Sequence, residues 1–181
     1  ATLLVAAALT ACGNDAPAQP PVSAPAPVPT FNPADVDFAV ELSQHHGQAL
    51  RMTELAATRA RAAEITTLAT QIARAYAPQT DTVAGWIQAW AAAGAELPAH
   101  EIGSGETAPG MLPDAALNRL DRLNGRAFDR EFLRLMARHH RGGLDLVKRQ
   151  LADGINPEAR ALAAQLQTTQ TQQLAQLSAA S

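Results

Sequence analysis

The chain has 181 residues, 47% of them apolar but only 4% aromatic, and carries a net charge of −3. That length suits one ordinary domain, and an apolar share made mostly of Ala and Leu favours helices over strands. The charge excludes nucleic acid as the main partner, and a single cysteine excludes an intramolecular disulfide.

Residues 1–12 read as the end of a secretory signal. Ala1 to Ala11 is apolar, uncharged and too short for a bilayer span, which needs about 20 residues. Leu9-Thr10-Ala11-Cys12 resembles a bacterial lipobox. That resemblance implies that Cys12 is lipidated, so that the membrane is a partner and the protein is an extracytoplasmic, membrane-anchored lipoprotein. It leaves no thiol in the rest of the chain for metal binding or catalysis.

Residues 13–32 form a linker with six prolines among Ala, Val and Ser. Such a stretch buries no core and prefers extended polyproline II. At about 3.1 Å per residue it holds the following domain roughly 60 Å from the lipid.

Residues 33–181 read as a helical domain. Asn32-Pro33 is a cap followed by proline at the first helical position. Phe38, Leu42, His45, Ala49, Met52 and Leu55 then recur at helical spacing. A break is expected at Thr58 to Ala63. A second helix carries Ile65, Leu68, Ile72, Val83, Ile87 and Trp90, with a kink expected at Pro78 and an end at Gly94. Trp86 and Trp90, four apart, are expected in the core. Ala95 to Pro113 is rich in Gly and Pro and reads as a loop, with His100 on its surface. A short helix follows from Asp114 to Asn124, then a long one from about Arg126 to Ala152, stopped by Gly154. Asn156-Pro157 repeats the cap-and-proline start and opens the last helix. The fold class is all-α, a four-helix bundle with a short extra helix in the crossover.

The two halves repeat. From Asp37 to Glu131 the offset is 94 residues, and it places His45-His46 on His139-His140, Phe38 on Phe132 and Leu42 on Met136. Two helix pairs about a pseudo-twofold axis would bring the first and third long helices together.

Four of the five histidines thus fall in two matched pairs. Adjacent helical residues point about 100° apart, so one ring of each pair is expected inward and the other towards a neighbouring helix or solvent. Facing pairs would supply two to four imidazoles to one place, and imidazole binds Cu, Zn, Ni or Fe. Met52 lies two turns beyond His45, Met136 one turn before His139, and Met111 is in the loop. Thioether selects Cu(I), so a His/Met set without thiol points to copper, with zinc as the lesser alternative. The competing reading makes the histidines hydrogen-bonded core groups and the methionines core filling.

Phe-x3-Leu-x2-His-His-x2-Ala-x2-Met, from Phe38 to Met52, resembles one signature of the domain-of-unknown-function 305 family. Phe128-Asp129-Arg130-x-Phe132-Leu133-x2-Met136-x2-His139-His140-x-Gly142 resembles its second, and Gly110-Met111 is similar to a further motif. The resemblance implies a ferritin-like helical fold, a place in the bacterial envelope and, as in some members, copper binding. It implies metal-site candidacy for His45, His46, His139, His140, Met52, Met111 and Met136. The chain departs from the family where a second-helix Glu and Met are usual: Gln79 and Val83 stand there in one repeat, Gln173 and Leu177 in the other, and Tyr76 and Gln170 lie three residues before the glutamines. Leu146 also replaces a common Met. These losses imply a weaker site or one with fewer ligands.

No catalytic residues stand out. Di-iron bundle sites use Glu-x-x-His, and none occurs here. Glu41 is expected on a solvated face, while Asp129 and Glu131 are expected to offset the dipole of their own helix. The first reading is therefore an extracytoplasmic copper-binding protein for buffering, resistance or delivery. A non-metal interaction or pH-sensing module is the second and a metal oxidoreductase the third. Oligomeric state stays open.

Overall fold

The computed structural model describes residues 31–98 and 108–181. The lipobox, its cysteine, nearly all of the linker and His100 lie outside the described residues. Five helices follow in order: α1 (Pro33–Arg59), α2 (Ala63–Ala92), α3 (Asp114–Asp121), α4 (Gly125–Asp153) and α5 (Pro157–Ala179). There is no strand among the described residues. Helix α1 packs on α2, α4 packs on α5, and α1 packs on α4, while α2 and α5 barely touch. The two pairs therefore meet through α1 and α4, as the repeat implies.

The helix starts follow from the sequence. The Asn32 side chain accepts from the Asp35 amide at 3.0 Å, and the Asp35 carboxylate accepts from the Asn32 amide at 2.9 Å. This reciprocal pair closes two of the free amides at the start of α1. Asn156 caps α5 from one side only, its side chain accepting from the Ala159 amide at 2.9 Å. Gly94, at φ +91°, ends α2 in a conformation that only glycine adopts cheaply.

Asp35 and Asp129 are repeat partners, and each reaches across to the other helix pair. Asp129 accepts from the Arg61 and Ala62 amides at the start of α2, at 3.0 and 3.2 Å. Asp35 accepts from the Ile155 and Asn156 amides just before α5, at 3.1–3.2 Å. Each carboxylate thus satisfies orphan amides where a second helix begins. Asp129 serves α2 and not, as its position in sequence suggests, the dipole of its own helix.

Other expectations are corrected in detail. Helix α3 stops at Asp121, and Gly125 at φ +62° makes the corner into α4. Trp90 is buried, but Trp86 is half-buried and donates to Glu158 at 3.2 Å. Glu41 is not solvated: it is largely buried and ion-paired with Arg149 of α4. Glu131 is held by Arg134, which lowers its pKa through their hydrogen bond.

The core runs the length of the bundle through Phe38, Leu42, Met52, Ile72, Trp90, Phe128, Phe132, Met136 and Leu146. No helix among the described residues is long and apolar enough to cross a membrane.

Candidate metal centre

All four paired histidines are fully buried. Each pair divides as expected, one ring inward and the other towards a neighbouring helix, and none of the four faces solvent. The 100° between neighbours is accommodated because one ring points to the α1–α4 interface and the next to its own partner helix.

His45 and His139 lie against each other on the pseudo-twofold axis. Their rings stack with centroids 3.6 Å apart and planes 18° from parallel. His45 Nε2 donates to the His139 carbonyl at 3.1 Å, and His139 Nε2 donates to the His45 carbonyl at 3.0 Å. A carbonyl only accepts, so both Nε2 atoms carry the proton and both Nδ1 atoms are bare lone pairs.

His46 and His140 turn outward to glutamines that are themselves repeat partners. His46 Nε2 lies 2.8 Å from Gln79 Oε1 on α2. His140 Nε2 lies 2.7 Å from the Gln173 carboxamide on α5. That atom of Gln173 is Oε1, and His140 Nδ1 lies 3.1 Å from the Met136 carbonyl, so both ring nitrogens face acceptor oxygens and the ring's one proton serves one of the two contacts. Tyr76 lies flat on His46, with centroids 4.1 Å apart, and its hydroxyl reaches 3.4 Å from His140 Nε2. Its repeat partner Gln170 is fully buried beside His45 and Gly143, and neither of its amide atoms makes a hydrogen bond of good geometry. The Gly143 hydrogen makes this packing feasible: a Cβ there would sit 2.5 Å from Gln170 Oε1 and 2.8 Å from His45 Cε1.

The crossover is strapped over α1 and α4 beside the cluster, at the middle of the bundle. Gln48 donates to the Leu112 carbonyl at 3.0 Å and accepts from the Leu112 amide at 2.8 Å. Gly110, at φ +83°, rests on Gly142, where a Cβ would come within 2.1 Å of the Gly110 backbone. Met111 is held between these two contacts, close in the chain to the Gly110–His139 approach.

Burial keeps every imidazole neutral. His46 is pushed down to about 4 and His139 to about 3, both mainly by loss of solvent. His45 falls well below its usual value for the same reason, with the neighbouring rings adding to the effect, and His140 also falls. Burial raises the Tyr76 phenol.

Metal ions need neutral imidazole with a free lone pair. The Nδ1 atoms of His45, His46 and His139 are buried without a hydrogen bond of good geometry, the Gly110 backbone lying beside the His139 ring. Each of these rings has its other nitrogen fixed by an oxygen, the arrangement that sets tautomer and direction in metal-ligating histidines. The donor set therefore fits a soft or borderline metal. The rings are stacked and not yet convergent: no group of three or more His, Cys, Asp or Glu poised around one point occurs among the described residues. Met52 and Met136 are fully buried in the core, and Met52 stands about 10 Å along α1 from His45 at 1.5 Å per residue. Arg138 and Arg141 are exposed and do not enter the cluster. Glu41, four residues before His45 on α1, is committed to Arg149.

A family model described as domain of unknown function (DUF305) matches residues 35–181. The chain belongs to this family. Two DUF305 proteins of known structure show the same helical architecture. One, of the secreted class, is from Streptomyces coelicolor (30% identity, TM-score 0.70, 80% of this chain and 89% of that one). The other is from Deinococcus radiodurans (28% identity, TM-score 0.72, 83% and 97%). CopM in its Cu(I)-bound form shares the fold at 24% identity, with a TM-score of 0.64 and coverage of 80% and 92%. No protein of curated function matches the chain.

The sequence marks the four histidines, but there Gln79 and Gln173 count only as losses from the DUF305 pattern and Gln170 has no role. The structure puts all three at the rings. The signal was present in the repeat, since the same 94-residue spacing that separates His45 from His139 also carries Gln79 onto Gln173.

Proposed function

We propose that this protein is an extracytoplasmic copper-binding protein that buffers or delivers the metal. The observation that carries this reading is the set of three buried imidazole lone pairs that lack a hydrogen bond of good geometry, on rings whose other nitrogens are fixed. Leaving such atoms unsatisfied costs stability, and a metal ligand role gives that cost a use. His45, His46 and His139 supply these lone pairs as ligands, and His140 joins them by releasing the Met136 carbonyl or Gln173. Met52, Met111 and Met136 are auxiliary thioether donors, with Met111 the one whose segment touches the cluster. CopM, a relative in fold, has been crystallised with Cu(I), Cu(II) and Ag. The secreted class of the Streptomyces relative and the lipobox at Cys12 support a location outside the cytoplasm, with the membrane as anchor.

A second reading is favoured by one specific observation. The His45–His139 pair is self-satisfied through two carbonyls, so the cluster also serves as a core clasp between α1 and α4. Competition titration of the whole chain with Cu(I), Cu(II) and Zn(II), alongside a variant with all four histidines changed to Ala, separates the two. Tight copper binding lost in the variant supports the metal reading. Weak binding equal in both proteins leaves the clasp.

A further inference from the structure

We infer that the site selects a monovalent soft cation over a divalent one, and that Gln79 and Gln173 set this preference. The inference rests on the metal reading above and adds the charge of the ion to it.

Charge is the missing ingredient at the cluster. Among the described residues no carboxylate hydrogen-bonds to any of the four imidazoles. Glu41 is paired with Arg149, and Asp35 and Asp129 are occupied by backbone amides before α5 and α2. The groups that do meet the rings are all neutral: the His45, His139 and Met136 carbonyls, the Gln79 and Gln173 carboxamides, the Tyr76 phenol and the Gln170 amide. Arg138 and Arg141, exposed on α4, add positive potential from outside.

An ion entering this shell loses water and gains no counter-charge. The solvation lost on burial grows with the square of the charge, so a dication is penalised about four times as heavily as a monocation. Thioether favours a soft d10 monocation, whereas neutral imidazole suits either ion, so the preference here rests on the absence of counter-charge. The two glutamines occupy the positions where a carboxylate would change this. Each contacts a ring Nε2, at 2.8 Å for Gln79 and 2.7 Å for Gln173. A carboxylate at that place would raise the basicity of the ring and supply negative charge next to the ion. A carboxamide keeps the geometry and supplies neither. That the same substitution stands at both symmetry-related positions means no carboxylate remains on either side of the axis.

The test compares two d10 ions that differ in charge, Ag(I) and Zn(II), with Cu(I) as a third probe. Competition titrations are run on the whole chain, on a Gln79→Glu/Gln173→Glu variant and on the four-histidine variant. The expected result is Ag(I) and Cu(I) binding at least a hundredfold tighter than Zn(II) in the wild-type chain, lost without the histidines. The double Glu variant should gain at least tenfold in Zn(II) affinity while Ag(I) changes less. Each single Gln→Glu variant should give part of the gain, which covers the case in which the double variant folds poorly. Histidine-dependent binding that treats Ag(I) and Zn(II) alike, or glutamates that leave Zn(II) unchanged, overturns the charge inference and leaves the metal reading standing. No histidine-dependent binding of any ion overturns both.

Discussion

His45 and His139 each give their Nε2 proton to the other's backbone carbonyl, at 3.1 and 3.0 Å, so one stacked ring pair joins α1 to α4 at the axis of the repeat. The bond geometry predicts near-equivalence of the two residues. His45→Ala and His139→Ala each remove one donor and open a cavity in a closed core, which costs about 2–4 kcal/mol. The two losses should agree within about 1 kcal/mol in urea unfolding. The double variant should cost clearly less than the sum, because both changes delete the same contact. Additive losses would show that the pair is not a unit.

Stability should fall with acid well above the range where carboxylates titrate. His46 is pushed down to about 4 and His139 to about 3 in the folded chain, against 6.5 when unfolded. Below 6.5 the unfolded chain therefore binds more protons than the folded one, so stability drops as pH falls from about 6.5 towards 3 and is level above 7. The urea midpoint at pH 7, 6 and 5 measures this, with a decline of up to about 1.4 kcal/mol per pH unit for each ring that stays neutral. A midpoint unchanged between pH 7 and 5 would mean that the rings are not held neutral.

The periodicity of apolar residues made the helices legible, and the Asn-Pro starts gave both repeat openings because local cap chemistry is written in adjacent residues. His45 and His139 were legible as a pair because they are repeated. What the sequence concealed is who meets whom across the fold. Glu41 pairs with Arg149 and Asp129 with the Arg61 amide, contacts spanning 108 and 68 residues that no local pattern encodes. Gln79 and Gln173 were visible as residues, but their contact with the rings depends on how α2 and α5 lie against α1 and α4.

Asp35 and Asp129 should behave as one device used twice. Asp129→Ala leaves the Arg61 and Ala62 amides without their acceptor at a half-buried place, and the expected cost is about 1–3 kcal/mol. Asp129→Asn keeps an acceptor oxygen and should cost less. Asp35→Ala should cost more than Asp129→Ala, since Asp35 also accepts from Gln150 at 2.6 Å and completes the Asn32 cap. Thermal unfolding of the three variants checks the order.

Gly142→Ala should displace the crossover and leave the helix itself intact. Its methyl would fall 2.1 Å from the Gly110 backbone, and backbone cannot turn aside as a side chain can. The expected cost is about 1–3 kcal/mol of overpacking. Circular dichroism should show unchanged helix content, and hydrogen exchange should rise at Leu112, whose amide Gln48 now protects. Protection at Leu112 equal to wild type would show that the strap tolerates the methyl.

Gln170 offers the sharpest separation of binding from stability. It is fully buried, neither amide atom has a hydrogen bond of good geometry, and it lies beside His45 and Gly143. A buried amide left unsatisfied costs about 1–3 kcal/mol, and an apolar residue of similar volume removes that cost. Gln170→Leu should therefore raise the metal-free melting temperature by several degrees, since about 1 kcal/mol moves a domain of this size by roughly 2–4 °C. If the amide also serves the bound ion, the same variant should bind Ag(I) or Cu(I) less tightly than wild type. A rise in stability with unchanged affinity would make Gln170 a packing fault with no part in the site. A fall in stability would mean that Tyr76, whose hydroxyl faces it, satisfies the amide after all.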